Sequence, residues 1–378
     1  MSGVEVRPVQ SRRDLRAFID LPFRLHANAE QWVPPLRIER RLFLSRRFNA
    51  FFEHADAQLF LARRGDRVVG RVSAQIDHAF NSYQGNDWGM FGFLEVEDDQ
   101  EALDSLLAAA AAWLTERGRD RMVGPMDFTM NYECGVLIEG HERPPMVAQP
   151  WQPPYFQRLC EAAGLAKAVD LLMWELDIKD RADVVPGMVE LAENLEADHG
   201  VRIRRMSRRR LRRELDLFGE TYNEAWKDNW GFVPYSKRDL DHYAQELQLV
   251  FSRDWFMIAE KVDTGESVGV AITVPDINQV LKKMGGRLLP FGWWHFLFGR
   301  RKITKVRVGF LGVKPEYQHT GVAAGLYIEH FDTAGRTRQK GGEMGWILES
   351  NDAMNRAMEG MGGSLAKRYR VYERVLSR

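Results

Sequence analysis

Residues 305–331 read KVRVGFLGVKPEYQHTGVAAGLYIEHF, and the fold turns on how this stretch is read. Val306, Val308 and Phe310 alternate like a strand with one buried face, and Lys314-Pro315 ends the run. Further on, Ala324, Tyr327, Ile328, Phe331 and Ala334 fall at the i, i+3, i+4, i+7, i+10 spacing of one helical face. Between them lies the polar loop Gln318-His319-Thr320-Gly321-Val322-Ala323. A strand, a short Gly-bearing loop and a helix start together make an anion cradle. Free N–H groups point out of the first helical turn, the helix dipole adds positive charge, and glycine lets a ligand approach the backbone. A plain strand-to-helix turn would look the same, so this stretch alone leaves both readings open.

Working outward, the elements form a mixed α/β order that occurs twice. The first pass has a strand near Val4–Val9, a helix, a hairpin turning at Gly65-Asp66, and the strand WGMFGFLEV (88–96). The helix EALDSLLAAAAAWLTERG, a strand near Met122–Met126, a helix around PPYFQRLCEAAGL and the strand LLMWELD (171–177) complete it. After a connecting helix the order repeats, from VRIRRMS (201–207) to the helix NDAMNRAMEGMG. GFLEV (92–96) echoes GFLGV (309–313), and LCEAAGL (159–165) echoes AMEGMGG (357–363). The matching places of these short echoes point to an internal duplication. The expected domains are 1–180, a connecting helix at 181–200, and 201–378.

The bulk composition narrows the function. Lys+Arg and Asp+Glu are both 53, so zero net charge argues against general nucleic-acid binding. Two cysteines suit a reducing cytoplasm and leave no disulfide framework. The opening MSGVEVRPVQSRRDLR has no apolar signal-peptide core, and no apolar run reaches the roughly 20 residues of a membrane span. The expectation is a cytoplasmic protein, peripheral at most on the inner face of a membrane. None of the nine histidines sits in a metal-binding spacing, so no metal is expected.

The element order, with Gln318, Gly321 and Ala323 as Gln-x-x-Gly-x-Ala, resembles the GNAT (GCN5-related N-acetyltransferase) superfamily. Asn351 followed by Gly362 is similar to its later Asn-to-Gly helix motif. The resemblance covers about 200–378 well and 1–180 more loosely, implying two duplicated GNAT-like acyltransferase units. It implies an acyl-CoA pyrophosphate site at Gln318, His319, Thr320, Gly321, Val322 and Ala323, with Asn351 as a further contact. Backbone N–H groups near Leu311 and Val313 would polarise the thioester. Acyl-CoA would be a co-substrate, with no permanently bound cofactor.

Two departures matter. The first copy reads Glu97-Asp98-Asp99-Gln100-Glu101 at the loop, without glycine, and its four acidic residues would repel a pyrophosphate. That copy is expected to serve as scaffold or as one wall of the acceptor site. The family's usual general-acid Tyr is replaced by Met358, with Cys160 in the first copy. Tyr327, Tyr369 and Tyr372 are the substitutes, and the sequence does not choose among them. For the base, Glu349 comes first and Asp276 second; capping or turn roles would equally explain both.

The acceptor side is read from two stretches. YNEAWKDNWGFVPYS offers Asn223, Trp226 and Trp230 where GNAT folds build an acceptor wall, and Asn278 follows the hairpin. Before KVRVGFLGV, 28 residues intervene, centred on Trp293 and Trp294 in FGWWHFLF and flanked by Lys282, Lys283, Arg287, Arg300, Arg301 and Lys302. Aromatics bracketed by cations suit an anionic membrane surface or the mouth of an acyl channel; packing against the rest of the chain is the alternative. The overall pattern is also similar to GNAT-type bacterial ceramide synthases. The implied function is acyl-CoA-dependent N-acylation, with a long chain, of a lipid-like, sphingoid-type amine. Acetylation of a small amine or peptide and a non-catalytic CoA-binding scaffold are the rivals.

Overall fold

In the computed structural model, which describes residues 3–178 and 184–377, β1 (Val4–Pro8) ends at a proline and Ser11 caps α1 (Arg12–Leu25). The Ser11 hydroxyl accepts from the Asp14 amide, and the Asp14 carboxylate accepts from the Ser11 amide. After α2 (Arg37–Phe43), the hairpin β2 (Ala55–Arg64) and β3 (Arg67–Asp77) turns at Gly65. Asp77 caps α3 (His78–Gln84), which ends on left-handed Gly85 and leads into β4 (Trp88–Val96). Asp99 caps α4 (Gln100–Thr115); β5 (Arg121–Gly124), β6 (Val136–Glu139), α5 (Tyr155–Ala162) and β7 (Ala166–Asp177) follow.

The connecting segment forms two short helices, α6 (Pro186–Glu193) and α7 (Leu195–His199), with residues 181–183 outside the described residues. The second pass runs β8 (Val201–Arg205), α8 (Leu211–Ala225), α9 (Lys237–Val250), β9 (Phe256–Lys261) and β10 (Ser267–Pro275). The insert makes α10 (Asn278–Met284) and α11 (Gly292–Gly299). Then come β11 (Lys305–Val313), α12 (Val322–Arg336), β12 (Gly341–Leu348), α13 (Asp352–Gly360) and β13 (Ser364–Val375).

The compact units do not follow chain order. The first comprises the residues through Leu172 together with Asn278–Phe298 and the chain from Ala366 onward. The second comprises Met173–Ile277 and Gly299–Leu365. Thus the insert and the last strand, which sequence order assigns to the second copy, belong to the first unit. In that unit the strand order is β1-β2-β3-β4-β5-β13-β7, with β6 also paired to β13. The last strand of the chain therefore sits between β5 and β7, held by Arg370, whose guanidinium donates twice to buried Asp170 at 2.8 and 3.0 Å. One core lies under α4, where Leu103, Leu106, Leu107, Ala110 and Leu114 pack with Phe91, Val72 and Tyr372. Another gathers Phe18, Phe43, Phe51, Phe93 and Phe128 under α1 and α2.

The second unit orders its strands as the end of β7, then β12-β11-β10-β9-β8. Thr273 of β10 bonds His330 of α12, while its neighbour Ile272 pairs with Phe310, which meets Phe218 of α8 edge-on. Successive strand residues point to opposite faces, so α8 and α12 cover opposite faces of this sheet.

Candidate functional site

In the second unit β11 and β12 pair in parallel from Lys305/Gly341 to Val308/Met344, and there the pairing stops. β11 continues to Val313 with a register shift against β10 that leaves Gly309 unmatched. Beyond Val308 the parallel pairing with β12 ends and leaves an opening between the two strands, while Leu311 and Val313 stay paired with Ala271 and Gly269 of β10. The chain then runs through Pro315–Tyr317 and the exposed Gln318 and His319 to Gly321, whose φ of 85° heads α12. A Cβ there would be strained, and would also come within 3.2 Å of Leu191. The first amides of α12, from Val322 and Ala323, have no carbonyl a turn earlier to bond. Lys314 is not part of this cradle: burial by itself would lower its pKa, but Glu266 at 2.9 Å and Glu224 at 3.4 Å together raise it. Thr320 donates to the Tyr317 carbonyl at 2.7 Å and closes the loop.

The catalytic candidates are placed differently from one another. Tyr327 is buried on α12 and donates to the Met354 sulfur on α13 at 3.2 Å. Burial pushes its pKa up, so it keeps its proton. The rival tyrosines lie in the first unit, in β13: Tyr369 donates to Pro150 O at 3.1 Å and Tyr372 to Glu161 at 3.4 Å. Glu349 follows β12, half-buried, and its carbonyl accepts from Asn355 at 3.4 Å. Asp276 is buried at the end of β10, its amide bonded to Lys305 O at 2.9 Å. Asn351 caps α13, accepting from the Met354 amide at 3.1 Å.

An aromatic wall borders the opening. Trp226 stacks on Tyr222 at 5.0 Å, and both meet Phe310 edge-on, with Phe232 and Tyr235 behind. The Trp226 ring lies so close to Gly312 that a Cβ there would be 2.1 Å from its Cη2. Asn223 clamps this wall, accepting from the Tyr235 amide at 2.9 Å and donating to its carbonyl at 3.2 Å. Trp230 is half-buried in the same loop.

The Arg-rich start of this unit serves packing more than binding. Arg202 and Arg204 bind Glu260, Arg204 also binds Glu214, and Arg205 binds Glu329 at 2.6 Å.

The first unit shows the same splayed pair, with β4 and β5 parallel only from Trp88/Arg121 to Met90/Val123. Its opening is filled from within: the Phe93 amide, at a residue with φ of 49°, donates to Asp127 at 2.8 Å. The acidic loop is neutralised by arginines. Glu97 pairs with Arg24 and Arg67, Asp98 with Arg158, and Asp99 and Glu101 with Arg64 at 2.7 and 2.8 Å.

Sequence reasoning missed a cavity of about 280 Å³ in this unit. Trp32, Trp151, Tyr132 and Leu281 line it together with Glu39, Arg40, Arg71, Glu95, Asp127 and Glu133. Asn278 lines it too, donating to Pro145 O at 2.9 Å. Glu95 binds buried His26 at 2.7 Å. Burial and the neighbouring Glu133 push Asp127 up to about 7, and burial raises Glu133 as well. Burial alone would lower Arg40, but Glu39, Glu133 and Asp127 raise it. The charged residues of the cavity, from Glu39 to Glu133, are scattered along the chain without any motif spacing that could have revealed them.

The insert exposes its apolar side chains. Phe291 is 76%, Trp294 54% and Leu297 56% exposed, while Trp293 holds Pro290 O at 2.8 Å. Among the described residues no helix is long and apolar enough to cross a membrane.

No family profile matches the chain. It is 36% identical to a bacterial ceramide synthase of Caulobacter vibrioides, covering 99% of this chain and 98% of that protein. It is 35% identical to protein YghO of Escherichia coli, covering 98% and 95%. Among solved structures, it resembles a tandem GNAT protein from the clavulanic acid biosynthesis pathway, with a TM-score of 0.59, 14% identity and 99% of both chains covered. A GCN5-related N-acetyltransferase from Sphaerobacter thermophilus matches with a TM-score of 0.55, 13% identity, and 99% and 96% covered. The two units are thus duplicated GNAT folds.

Proposed function

The chain belongs to the GNAT-type bacterial ceramide synthase family and is an N-acyltransferase, and from that premise we propose that it transfers a long acyl chain from acyl-CoA to the primary amine of a sphingoid-type lipid. The observation that carries the lipid half is the exposed apolar face of Phe291, Trp294 and Leu297, flanked within its own unit by Lys282, Lys283 and Arg287. Apolar side chains beside cations suit a protein that works at an anionic lipid surface, where its substrates reside. The acyl-CoA half is supported by the uncapped start of α12 beside the opening past Val308.

In this reading the pyrophosphate rests on the 318–323 loop and the amides of Leu311–Val313 polarise the thioester carbonyl. The amine nitrogen attacks that carbon, Glu349 or Asp276 takes the ammonium proton, and the C–S bond breaks. Tyr327, kept protonated by burial, supplies the proton to the leaving thiolate. The Trp226–Phe310 wall offers the acyl chain an apolar surface.

The test incubates purified protein with palmitoyl-CoA and a sphingoid base, and with acetyl-CoA and small amines, and follows N-acylated product by mass spectrometry. The expected result is product from the lipid pair alone, lost in Gln318→Glu, which puts a negative charge on the exposed loop without straining it. Turnover of acetyl-CoA on small amines, with none on the lipid pair, would overturn the reading. CoA binding without turnover of any amine would make the chain a scaffold.

A further inference from the structure

Helix α6 stands beside the head of α12, within the second unit. A Cβ on Gly321 would come 3.2 Å from the Leu191 Cβ and 3.3 Å from its carbonyl oxygen. One turn on, a Cβ on Gly325 would meet Leu195 of α7 at 3.1 Å and Ile203 of β8 at 2.7 Å. Leu191 and Leu195 thus keep step with Gly321 and Gly325, so the linker and α12 run side by side in the same direction. The residues of α6 ahead of Leu191 therefore continue past the head of α12, alongside the 318–320 loop. Gly187 shares the Leu191 face, and among the described residues nothing but its own neighbours lies within 4 Å of its Cβ position. The α12 face that carries both glycines looks toward β8, whereas the opening past Val308 lies between β11 and β12. In the strand order β12-β11-β10-β9-β8 these are opposite flanks of α12.

This helix is thinly covered. None of its side chains is fully buried: Met188, Val189 and Ala192 are half-buried, and Leu191 is 52% exposed. So short a helix is marginal on its own and ordinarily draws its stability from an apolar face packed on a neighbour. Leu195, by contrast, is buried and fixes the far end of the linker. Coenzyme A is esterified at both ends of its diphosphate. With the diphosphate on the first amides of α12, the pantetheine arm runs to the opening on the β12 side, which leaves the β8 side to the adenosine. We propose that α6 seats that adenosine, with the base lying on Leu191 and Met188 beside the open space at Gly187. The proposal rests on the acyl-CoA reading given above and names the part of the ligand that the 318–323 loop does not hold. The charge of α6 agrees with it. The helix carries Glu190 and Glu193 and no Lys or Arg, which suits the faces of an uncharged base rather than a phosphate. Both carboxylates are turned away, Glu190 by about 100° and Glu193 by about 160° from Leu191 around the helix.

The test is calorimetric titration of the full chain with octanoyl-CoA and with octanoyl-4′-phosphopantetheine, which keeps the thioester and one phosphate but lacks the adenosine. Leu191→Ser should weaken octanoyl-CoA roughly threefold to tenfold, the worth of covering the exposed half of a leucine. It should leave octanoyl-4′-phosphopantetheine unchanged, and that unchanged binding also shows that the variant folds. Adding Met188→Ser should deepen the loss for octanoyl-CoA alone. An equal loss for both ligands, or no loss for either, would overturn the adenosine seat while leaving the cradle at the head of α12 standing. Failure of the wild type to bind either ligand would instead sink the acyl-CoA reading, and this inference with it.

Discussion

At the scale of single residues, the most exposed bet is Gly312. Any side chain there drives into Trp226, since a Cβ would stand 2.1 Å from Cη2 and 2.3 Å from Cζ3. Gly312→Ala should lower stability by roughly 1–3 kcal/mol and push the indole off the strand that borders the opening. Trp226→Leu should cost stability alone yet recover much of the loss when combined with Gly312→Ala. Additive effects in a denaturation double-mutant cycle would show that the ring does not rest on this glycine. His330 makes a second, independent prediction. It donates from Nδ1 to Leu326 O at 2.6 Å and accepts from Thr273 at 2.8 Å, and burial holds its pKa down at about 4 against an ordinary 6.5. Between those values the unfolded chain binds a proton that the folded chain refuses. This contribution to stability is therefore complete above the window and is lost as pH falls through it, to about 3 kcal/mol at most. Urea midpoints at pH 7.5 and 5 should lie closer together in His330→Asn than in wild type; an unchanged gap would contradict the buried neutral imidazole. None of this was visible in the sequence. A histidine and a threonine 57 positions apart carry no sign that they meet.

Elements were more legible than residues, and the misses have causes. The strand–loop–helix at 305–336 follows from a change of period, from two to 3.6, with glycine at the switch. Helix α9 escapes although Ser236 and Asp239 form a reciprocal cap of the same kind as Ser11 and Asp14 at α1, because the stretch before it is read only for its acceptor-wall residues. The FGWWHFLF run carries no helix signal in the sequence because it is apolar on every side. Periodicity cannot mark a helix that has no polar face. The structure makes it α11, with Trp294 and Leu297 more than half exposed, and the proposed lipid surface is tested there. Sedimentation with vesicles containing anionic lipid should show binding that weakens with salt. Replacing Phe291, Trp294 and Leu297 together by Ser should reduce it about a thousandfold or more, the loss expected from three apolar side chains at about 1.5 kcal/mol each. Equal binding of wild type and triple variant would remove the membrane from the account, and retention on neutral vesicles at high salt would remove the cations.

For the whole molecule, sequence order and spatial order part company at the last strand. The echoes between copies suggest that each keeps its own closing strand. Yet β13 lies between β5 and β7, and Tyr372 and Leu376 join the first unit's core. Repeats conceal such an exchange by their nature: a strand that moves into the equivalent slot of its sister finds nearly the same pattern of buried and exposed neighbours, so its own sequence need not change. The consequence is testable. Residues 1–180 alone would leave the β5 edge unpaired and Asp170, a buried carboxylate, without Arg370, so this fragment should lack a cooperative urea transition and bind a hydrophobic dye. The same fragment continued through a Gly/Ser linker of about 20 residues into 364–377 can reach the vacant slot and should unfold cooperatively. Arg370→Ala in that fusion should then cost about 1.5–3 kcal/mol, the loss of hydrogen bonds to a charged group, since Asp170 keeps Lys167 at 3.2 Å and Arg368 at 3.6 Å. If 1–180 folds as well without the strand as with it, the slot is dispensable, and the two copies are independent domains whose last strands merely changed places.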